Sequence, residues 1–346
     1  MKVLLGMSGG VDSSVAAALL RDAGHEVVGV TMRLWGGESD TGCCSVADVD
    51  DARRVAQQLD VDHLVFNFTE EFNTHVVEPY VRAHTRGVTP NPCIECNRHL
   101  KFDRLLERAD VLGFDAVATG HHARVVHADG RWELRRGVDR AKDQSYVVHM
   151  LGQDALSHTL FPVGEMTKAE VRVRAAEMGL RTAAKPDSQD VCFITSTGGR
   201  ETFLGTRIPF RHGRVIDRAG EELGTVEAIE LVTPGQRRGL ALSGAPKRRY
   251  VVDIDMATTT VIVGSEDDLL EPGLQIQGLS WCDEPIVGAV LAQCSAHGDP
   301  RSGVLDGSGS LRWHEPQRLI AAGQSVVLYD AADDRVLGGG ICVRAR

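Results

Sequence analysis

The sequence has no apolar run of about 18 residues, the length that a membrane-spanning helix needs, so we expect no membrane span. Lys2 leads directly into a short apolar strand, without a basic leader or a small-residue cleavage site. We therefore expect no secretory signal, and a cytoplasmic protein. Internal repeats and low-complexity tracts are also absent. Aromatic residues make up only 5% of the 346 residues and 42% are hydrophobic, a globular composition with room for two or three domains.

The chain contains eight cysteines among its 346 residues. This is far below the cysteine content of small domains that are stabilised by disulfide bonds. Closely spaced cysteines in such a chain more often bind a metal or take part in catalysis. The formal net charge is −10 and the pI is near 5.7. This charge argues against indiscriminate binding of nucleic acid, which depends on counterion release at a basic surface. A local basic patch that binds one folded RNA is compatible with it.

The first half of the sequence alternates strand-like and helix-like runs. The strand-like runs span residues 2–7, 27–32, 63–68 and 116–119. This alternation predicts a parallel sheet with helices on both faces. Ligands of such sheets bind beyond the carboxyl ends of the strands. Residues 8–10, Met32 and the pair Gly120–His121 lie at the carboxyl ends of three of these strands, so we expect them to meet in one cleft.

Beyond residue 206 the helical periodicity fades. Short strands alternate with glycine-rich and polar turns up to the last residues. This pattern predicts one or two small β domains, with a boundary near residues 264–273.

The segment LGMSGGVDSS, which begins at Leu5, passes from a strand-like run into Ser8-Gly9-Gly10. It lacks the Lys-Ser or Lys-Thr of the common P-loop and the G-x-G-x-x-G of a dinucleotide fold. Its glycines still let backbone N–H groups approach a polyphosphate, and a helix from Val11 points its positive end at the same anion. Asp12 is a candidate Mg²⁺ ligand. Hydroxyl groups that can donate to phosphate oxygens are those of Ser8, Ser13 and Ser14. Without a lysine for the γ-phosphate, the loop suits the pyrophosphate leaving group of an attack on the α-phosphate.

Two cysteines stand in residues 89–102, TPNPCIECNRHLKF. We predict an extended approach to Cys93 and Cys96, and a helix that begins at Asn97. A cysteine at a helix N-terminus beside Arg and Lys has a lowered pKa, which suits a nucleophile or sulfur carrier. One alternative is half of a zinc site, although no second pair of ligands is evident. The other alternative is a pair of buried, inert thiols.

A further cysteine, Cys192, lies far downstream in the polar stretch KPDSQDVCFI. Alone it would indicate little. Two separated thiols together with an adenylating loop suggest thiolation, in which one cysteine carries a persulfide and the other assists its release.

The run S-G-G-x-D-S-S resembles the PP-loop of the ATP pyrophosphatases. Over most of the chain, the order and spacing of several motifs resemble the tRNA-specific 2-thiouridylases; these motifs are GMSGGVDSSVAA, TPNPCIECNRHLKF, ATGHHAR, KDQSY, FPVGEMTKAEVR and DSQDVCFI. The resemblance implies an α/β fold with a parallel-sheet PP-loop catalytic domain over residues 1–206. It also implies a small β-rich central domain over 207–264 and a C-terminal β-barrel-like domain over 265–346.

The resemblance further implies an ATP-dependent 2-thiolation of the wobble uridine in Glu, Gln and Lys tRNAs. Cys96 would be the nucleophile and Cys192 the persulfide carrier. ATP would be held, with Mg²⁺ at Asp12, by Gly6, Met7, Ser8, Gly9, Gly10, Val11, Asp12, Ser13, Met32 and Gly120. The tRNA would be contacted by Asn91, Pro92, Cys93, Lys142, Asp143 and Gln144. A sulfur donor, such as a cysteine desulfurase or a sulfur-relay protein, is implied as a partner, and the enzyme would act as a monomer.

Several alternatives stay open at this point. Cys93 stands where some members have Asp, and together with Cys96 and Cys192 it could hold an iron–sulfur cluster with an open iron. The arginines and lysine of residues 247–249 could be solvated or could contact the tRNA backbone. Two rival functions are a PP-loop ligase or amidotransferase that acts on a small molecule, and a nucleotide-sensing RNA-binding module without catalysis.

Overall fold

The structure, a computed structural model, describes residues 1–35, 46–187, 191–194, 198–242 and 248–344. The strands of its first part are β1 (Lys2–Gly6), β2 (Glu26–Arg33), β3 (Asp62–Asn67), β4 (Ala116–Thr119), β5 (Ala123–Ala128), β6 (Arg131–Arg136) and β7 (Thr159–Leu160). The α-helices are α1 (Val11–Asp22), α2 (Val46–Gln58), α3 (Thr69–Phe72), α4 (Glu78–His84), α5 (Pro92–Cys96), α6 (Leu105–Val111), α7 (Gln153–Ser157), α8 (Lys168–Glu177) and α9 (Gly199–Gly205). Two π-helical segments, Asn73–Val77 and Asn97–Arg104, and a 3-10 turn, Ser145–Val148, complete this unit.

A five-stranded parallel sheet in the order β3-β2-β1-β4-β7 forms the centre of this N-terminal unit. The predicted alternation of strands and helices is therefore confirmed. Helix α1 packs a run of alanines and Val15 into the core, because small side chains let the helix lie close to the sheet. The chain leaves α1 at Gly24, whose φ of +81° favours glycine, as expected at a helix C-terminus.

The carboxyl ends of β1, β2 and β4 lie side by side, because these three strands are parallel neighbours. This confirms that residues 8–10, Met32 and Gly120 share one edge of the sheet. Gly120 packs against the start of α1, where an added Cβ would lie 2.6 Å from the backbone nitrogen of Ser13. The edge is thus a tight backbone junction.

Two β structures follow the N-terminal unit. The central sheet contains β8 (Gly213–Asp217), β9 (Glu222–Val226), β10 (Ala241–Leu242), β11 (Tyr250–Asp255) and β12 (Thr260–Gly264), in the order β10-β9-β8-β12-β11. The closed C-terminal barrel contains β13 (Leu270–Trp281), β14 (Gly288–Gln293), β15 (Arg301–Leu305), β16 (Ser310–Arg318), β17 (Ser325–Tyr329) and β18 (Val336–Val343). Short 3-10 turns, Ile229–Leu231 and Asp267–Leu269, precede β10 and β13. The predicted change to β structure is confirmed, and closure of the barrel leaves it without edge strands.

A buried arginine joins the N-terminal unit to the barrel. The side chain of Arg136, which is 6% exposed, donates to Asp143 at 2.7 Å and to Asp333 at 2.7 Å. Its guanidinium carbon lies 3.6 Å from the centre of the Tyr329 ring. The barrel turn between β17 and β18 therefore fixes the loop that follows β6.

All three units meet at Thr89. Its backbone nitrogen donates to the carbonyl oxygen of Ala322 in the barrel at 3.0 Å. Its hydroxyl group lies 3.4 Å from that of Thr233, which precedes β10. The segment that leads to Cys93 and Cys96 is thus held where the three units touch.

In the described part of the chain, every helix is too short or too polar to cross a bilayer.

Candidate active site

The glycine loop after β1 has the backbone that a phosphate cradle requires. Gly9 has a φ of +70°, and a Cβ at this position would lie 2.3 Å from the carbonyl oxygen of Asp48. Gly10 is the N-cap of α1 and supplies no side-chain cap, so the first N–H groups of the helix stay available to an anion. The hydroxyl group of Ser13 bridges the backbone of Ser8 and Gly10, at 3.3 and 3.2 Å.

Two predicted ATP-site residues have side chains that point away from the cleft surface. Met7 and Val11 are 2% and 3% exposed and belong to the core under α1. They can therefore contribute only backbone groups to a ligand. Gly6 lies against Met32, since a Cβ on Gly6 would be 3.7 Å from the Met32 side chain. Their proximity agrees with the prediction that both lie near the nucleotide, which stays a prediction.

The lysine that the loop lacks comes from another part of the chain. Lys168, the first residue of α8, donates to both carboxylate oxygens of Asp12 at 2.8 and 2.7 Å and is only 12% exposed. Its backbone position is set by a capping box between Thr167 and Glu170. Lys168 lies 156 positions from Asp12, so sequence reasoning gave it no role, although it stands in the motif FPVGEMTKAEVR.

Asp12 also accepts a hydrogen bond from Nε2 of His122, at 3.1 Å, in the pair Asp12–His122. Burial opposes ionisation of the Asp12 carboxylate, but the hydrogen bonds from His122 and Lys168 outweigh it, and the pKa of Asp12 falls below its usual value. Asp12 is thus a carboxylate at neutral pH with a cation already beside it. A Mg²⁺ ion at Asp12 would share this carboxylate with Lys168.

A second lysine, Lys185, contacts the loop from the segment that leads to Cys192. Its ammonium group donates to the carbonyl oxygen of Gly9 at 2.9 Å and to Asp48 and Asp51 at 2.7 and 2.8 Å. Burial lowers the pKa of Lys185, but the two carboxylates outweigh this and the pKa is raised. Lys185 therefore stays charged and fixes the back of the loop.

Asp187 binds three cationic side chains. It accepts from Lys142 at 2.8 Å, from Lys168 at 3.0 Å and from Arg172 at 2.7 Å. Burial raises the pKa of Asp187, but these cations dominate and bring the pKa to about 2. The cleft consequently holds more positive than negative charge around Asp187, which suits a polyphosphate ligand.

The predicted tRNA-contacting residues have different surroundings. Lys142 is 40% exposed and pairs with Asp187. Asp143 is 5% exposed and bonded to Arg136, and it also accepts from the backbone nitrogen of Gly137. Gln144 accepts from the backbone nitrogen of His122 at 2.9 Å. Gln144 thus supports the Asp12–His122 pair through the backbone of His122, whereas Asp143 holds Arg136. A direct tRNA contact by any of the three stays a prediction.

The helix at the cysteine motif begins earlier than predicted. Asn91 caps α5 by accepting from the backbone nitrogen of Cys93 at 3.1 Å, and Pro92 occupies the first turn. The predicted start at Asn97 is wrong, because that residue only begins the π-helical continuation. Exposed Cys93 therefore occupies the N-terminal turn, and Cys96, 7% exposed, ends α5.

The structure brings Cys96 and Cys192 into one apolar cluster. Cys96 is among its buried members and Cys192 among the partly buried ones; the others include Leu34, Trp35, Phe72, Tyr80, Phe193 and Phe203. The predicted pairing of these two distant thiols in one site is therefore compatible with the fold. Their roles as nucleophile and persulfide carrier stay predictions.

Asn97 is a neighbour of Cys96 that sequence reasoning missed. Its side-chain nitrogen donates to the carbonyl oxygen of Val147 at 3.1 Å, and the residue is 3% exposed. Its side-chain oxygen is buried without a hydrogen-bond partner in the described part of the chain. The position of Asn97, a polar residue directly after the second cysteine of the C-x-x-C pair, was the feature of the sequence that could have indicated a role for it.

Within residues 1–35, 46–187, 191–194, 198–242 and 248–344, no three His, Cys, Asp or Glu side chains are grouped so as to hold a metal ion. Asp12 is thus the single carboxylate of the loop that could contact Mg²⁺ together with phosphate oxygens.

Three family profiles match consecutive parts of the chain. They are a tRNA methyl transferase HUP domain over residues 1–196, a tRNA methyl transferase PRC-barrel domain over 201–265, and an aminomethyltransferase beta-barrel domain over 273–342. These ranges follow the N-terminal unit, the central sheet and the barrel.

Among solved structures, the U34-tRNA thiolase NcsA of Methanococcus maripaludis with its [4Fe-4S] cluster is 18% identical, covers 55% of this chain and 61% of its own, and has a TM-score of 0.38. The NH3-dependent NAD synthetase of Campylobacter jejuni is 16% identical, covers 55% and 69%, and has a TM-score of 0.32. Neither similarity is strong enough to support a function.

Full-length relatives are much more similar. The tRNA-specific 2-thiouridylase MnmA of Chloroflexus aggregans is 45% identical over 99% of this chain and 98% of its own length. The proteins of the same name from Carboxydothermus hydrogenoformans and Clostridium perfringens are 45% and 42% identical, each over 98% of this chain. The resemblance inferred from the motifs is confirmed: the chain belongs to the tRNA-specific 2-thiouridylase family of tRNA sulfurtransferases.

Proposed function

We propose that this protein catalyses the ATP-dependent 2-thiolation of the wobble uridine in Glu, Gln and Lys tRNAs, with a cysteine persulfide as the sulfur source. One observation carries the proposal. Lys185 contacts Gly9 of the loop, and Asp187 binds Lys168, whose ammonium group also contacts Asp12. Cys192, five positions after Asp187, lies in the same cluster as Cys96. The adenylation chemistry and the sulfur chemistry are therefore joined by one short stretch of chain.

In the first step, the loop and the N-terminus of α1 hold the pyrophosphate part of ATP. In the structure, Lys168 pairs with the carboxylates of Asp12 and Asp187. When ATP is bound, its ammonium group supplies positive charge to the phosphates, and Mg²⁺ at Asp12 would neutralise further phosphate charge. The 2-carbonyl oxygen of the uridine attacks the α-phosphorus. The bond from the α-phosphorus to the bridging oxygen breaks, pyrophosphate leaves, and the base carries AMP on its oxygen.

In the second step, the terminal sulfur of a persulfide on Cys192 reaches carbon 2 of the base. A sulfur donor, such as a cysteine desulfurase or a relay protein, has supplied that sulfur beforehand. Attack of the Cys96 thiolate on the inner sulfur releases the terminal sulfur as sulfide and leaves a Cys96–Cys192 disulfide, which an external thiol reduces. The sulfide adds to carbon 2 and AMP leaves with the former carbonyl oxygen. Direct attack by the persulfide is the shorter variant of this step.

The proposal is tested with protein made and handled without oxygen or added iron. The protein is mixed with ATP, Mg²⁺, unmodified Glu tRNA and, as the persulfide donor, a cysteine desulfurase with free cysteine, and the tRNA is run on an organomercury gel that retards thiolated RNA. A retarded band that disappears when the wobble uridine is replaced is the expected result. No band, followed by activity only after iron–sulfur reconstitution, would replace the persulfide by a cluster at Cys93, Cys96 and Cys192.

Two variants separate the steps. Cys192→Ser should lose thiolation and keep tRNA-dependent AMP formation, because adenylation does not use this thiol. Asp12→Ala should lose both activities. Normal thiolation by Cys192→Ser would end its proposed role, and AMP formation that does not depend on tRNA would favour a small-molecule ligase.

We further propose that the protein acts as a cytoplasmic monomer on one tRNA. Sedimentation of the complex would test whether one protein chain binds one tRNA.

A further inference from the structure

A basic surface lies on the central sheet, in a protein whose net charge is −10. Residues 233–249 contain five basic residues and no acidic residue. Three arginines of this stretch are exposed, and we call them the arginine surface: Arg237, Arg238 and Arg248. The local charge is thus opposite in sign to that of the protein as a whole.

The arginine surface differs from most arginines of the structure because no carboxylate neutralises it. Arg124 and Arg136, for comparison, form ion pairs of 2.6 and 2.7 Å with Asp334 and Asp143. Among the described residues, the arginines of the surface have no ion pair within 4.0 Å. Next to them, Nε of Arg249 is buried and has no hydrogen-bond partner in the same part of the chain. The guanidinium groups are therefore available to an external anion.

The loop that carries Arg237 and Arg238 is tied to the segment that leads to the cysteine motif. Thr233, which begins the basic stretch, contacts Thr89 at 3.4 Å between their hydroxyl groups, and Thr89 precedes Cys93 by four residues. A four-residue step spans at most roughly 14 Å of extended chain, and the step from Thr233 to Arg237 has the same limit. The turn between them is fixed, because Gly235 donates to Val251 at 2.7 Å.

We propose that the arginine surface binds backbone phosphates of the substrate tRNA, on nucleotides that flank the base presented to Cys93 and Cys96. The proposal rests on the proposed function, since it takes tRNA as the substrate. Guanidinium groups suit this role because they remain charged and can bind phosphate oxygens in pairs. Contacts of this kind carry no sequence information, so they set the register of the RNA while the cleft selects the base.

The experiment measures binding of an unmodified Glu tRNA transcript by fluorescence anisotropy between 50 and 200 mM KCl. The test variant is Arg237→Gln/Arg238→Gln/Arg248→Gln. Each phosphate contact contributes about 0.7 to 0.9 to the slope of log K against log salt concentration. The slope of the variant should therefore be smaller by about 2, and the affinity ratio between wild type and variant should shrink roughly 15-fold over this salt range.

Two further variants control for general charge and for folding. Arg53→Gln/Arg54→Gln/Arg108→Gln removes three exposed arginines of α2 and α6 and should keep the wild-type slope. The substitution of all three arginines of the arginine surface by lysine keeps the charge and should restore most of the slope. Circular dichroism and thermal unfolding of each variant check that the central sheet is intact.

Two outcomes would overturn the inference. One is an unchanged slope in the test variant, even if its affinity is lower by the same factor at every salt concentration, and the other is an equal loss of slope in the α2 and α6 control. In each of these cases the wild type still binds and thiolates tRNA, so the proposed function survives. A wild-type protein that fails to bind the tRNA would overturn both.

Discussion

Asp187 offers a quantitative test of the charge cluster beside the glycine loop that follows β1, through the substitution Asp187→Asn. The pKa of this carboxyl group is about 2 in the folded protein, against an ordinary value of 3.8 for aspartate. A difference of that size corresponds to roughly 2 kcal/mol of stability at neutral pH. Because the side chain is 22% exposed, solvent screening reduces the expected loss to about 1–2 kcal/mol.

The dependence on pH has a definite sign. A carboxyl group whose pKa is lowered on folding stabilises the folded state above its unfolded pKa of 3.8, and this contribution disappears as the pH falls through about 2. The stability gap between wild type and Asp187→Asn should therefore stay constant between pH 8 and 5. It should begin to close only below about pH 4 and reach roughly half its size near pH 3.

The assay is urea unfolding followed by the far-ultraviolet circular dichroism of helices. All nine α-helices given above lie between Val11 and Gly205, so this signal reports on the N-terminal unit that contains Asp187. Midpoints are compared at equal slopes, so that a shift measures a change in the free energy of unfolding. The matched control is Asp22→Asn, which removes a carboxylate that also pairs with two arginines, Arg21 and Arg174, at the surface.

The control should change the midpoint much less than Asp187→Asn, since exposed ion pairs contribute little. Equal effects of the two substitutions would refute the reasoning. A gap that already closes between pH 8 and 5 would refute it as well, because the carboxyl group would then titrate above its ordinary range. In either case the three cations around Asp187 would not hold it as a low-pKa carboxylate.

Three further predictions concern the loop and the seam to the barrel. Gly9→Ala should abolish AMP formation while Gly24→Ala retains it, since only at Gly9 would the new methyl group meet a backbone oxygen, at 2.3 Å; equal activities would contradict this. Lys168→Ala should weaken ATP binding, measured by calorimetry, by at least about 10-fold, which is the effect of losing one charged hydrogen bond. Lys168→Arg should recover part of the lost affinity. An unchanged affinity of Lys168→Ala would place ATP elsewhere. Arg136→Ala should lower the free energy of unfolding, measured with urea, by about 3–5 kcal/mol, because it leaves a buried carboxylate without its cation. The control is Arg140→Ala, which removes a side chain that is 51% exposed and should lower the free energy of unfolding by at most about 1 kcal/mol. Similar losses in the two variants would show that the buried ion pair of Arg136 does not stabilise the contact between the N-terminal unit and the barrel.

Features that depend on neighbouring residues were readable from the sequence. The parallel sheet followed from alternating periodicities. The glycines of the loop at residues 8–10 indicated a phosphate-binding backbone. The start of α5 was readable as well, since Asn91 and Pro92 are an N-cap and a first-turn residue, but the prediction placed the helix at Asn97.

The side-chain partners of the site were decided by the tertiary structure alone. Lys168 reaches Asp12 across 156 positions and Lys185 reaches Gly9 across 176, so the cations absent from the loop come from distant segments. Asp143, predicted as a tRNA contact from its motif, faces Arg136 in the interior. Local patterns encode backbone conformation and which face of an element is buried, because these depend on residues within one or two turns. Which charged groups meet depends on how whole elements pack against one another, and a single lysine or aspartate in the sequence carries no periodic signal of its partner.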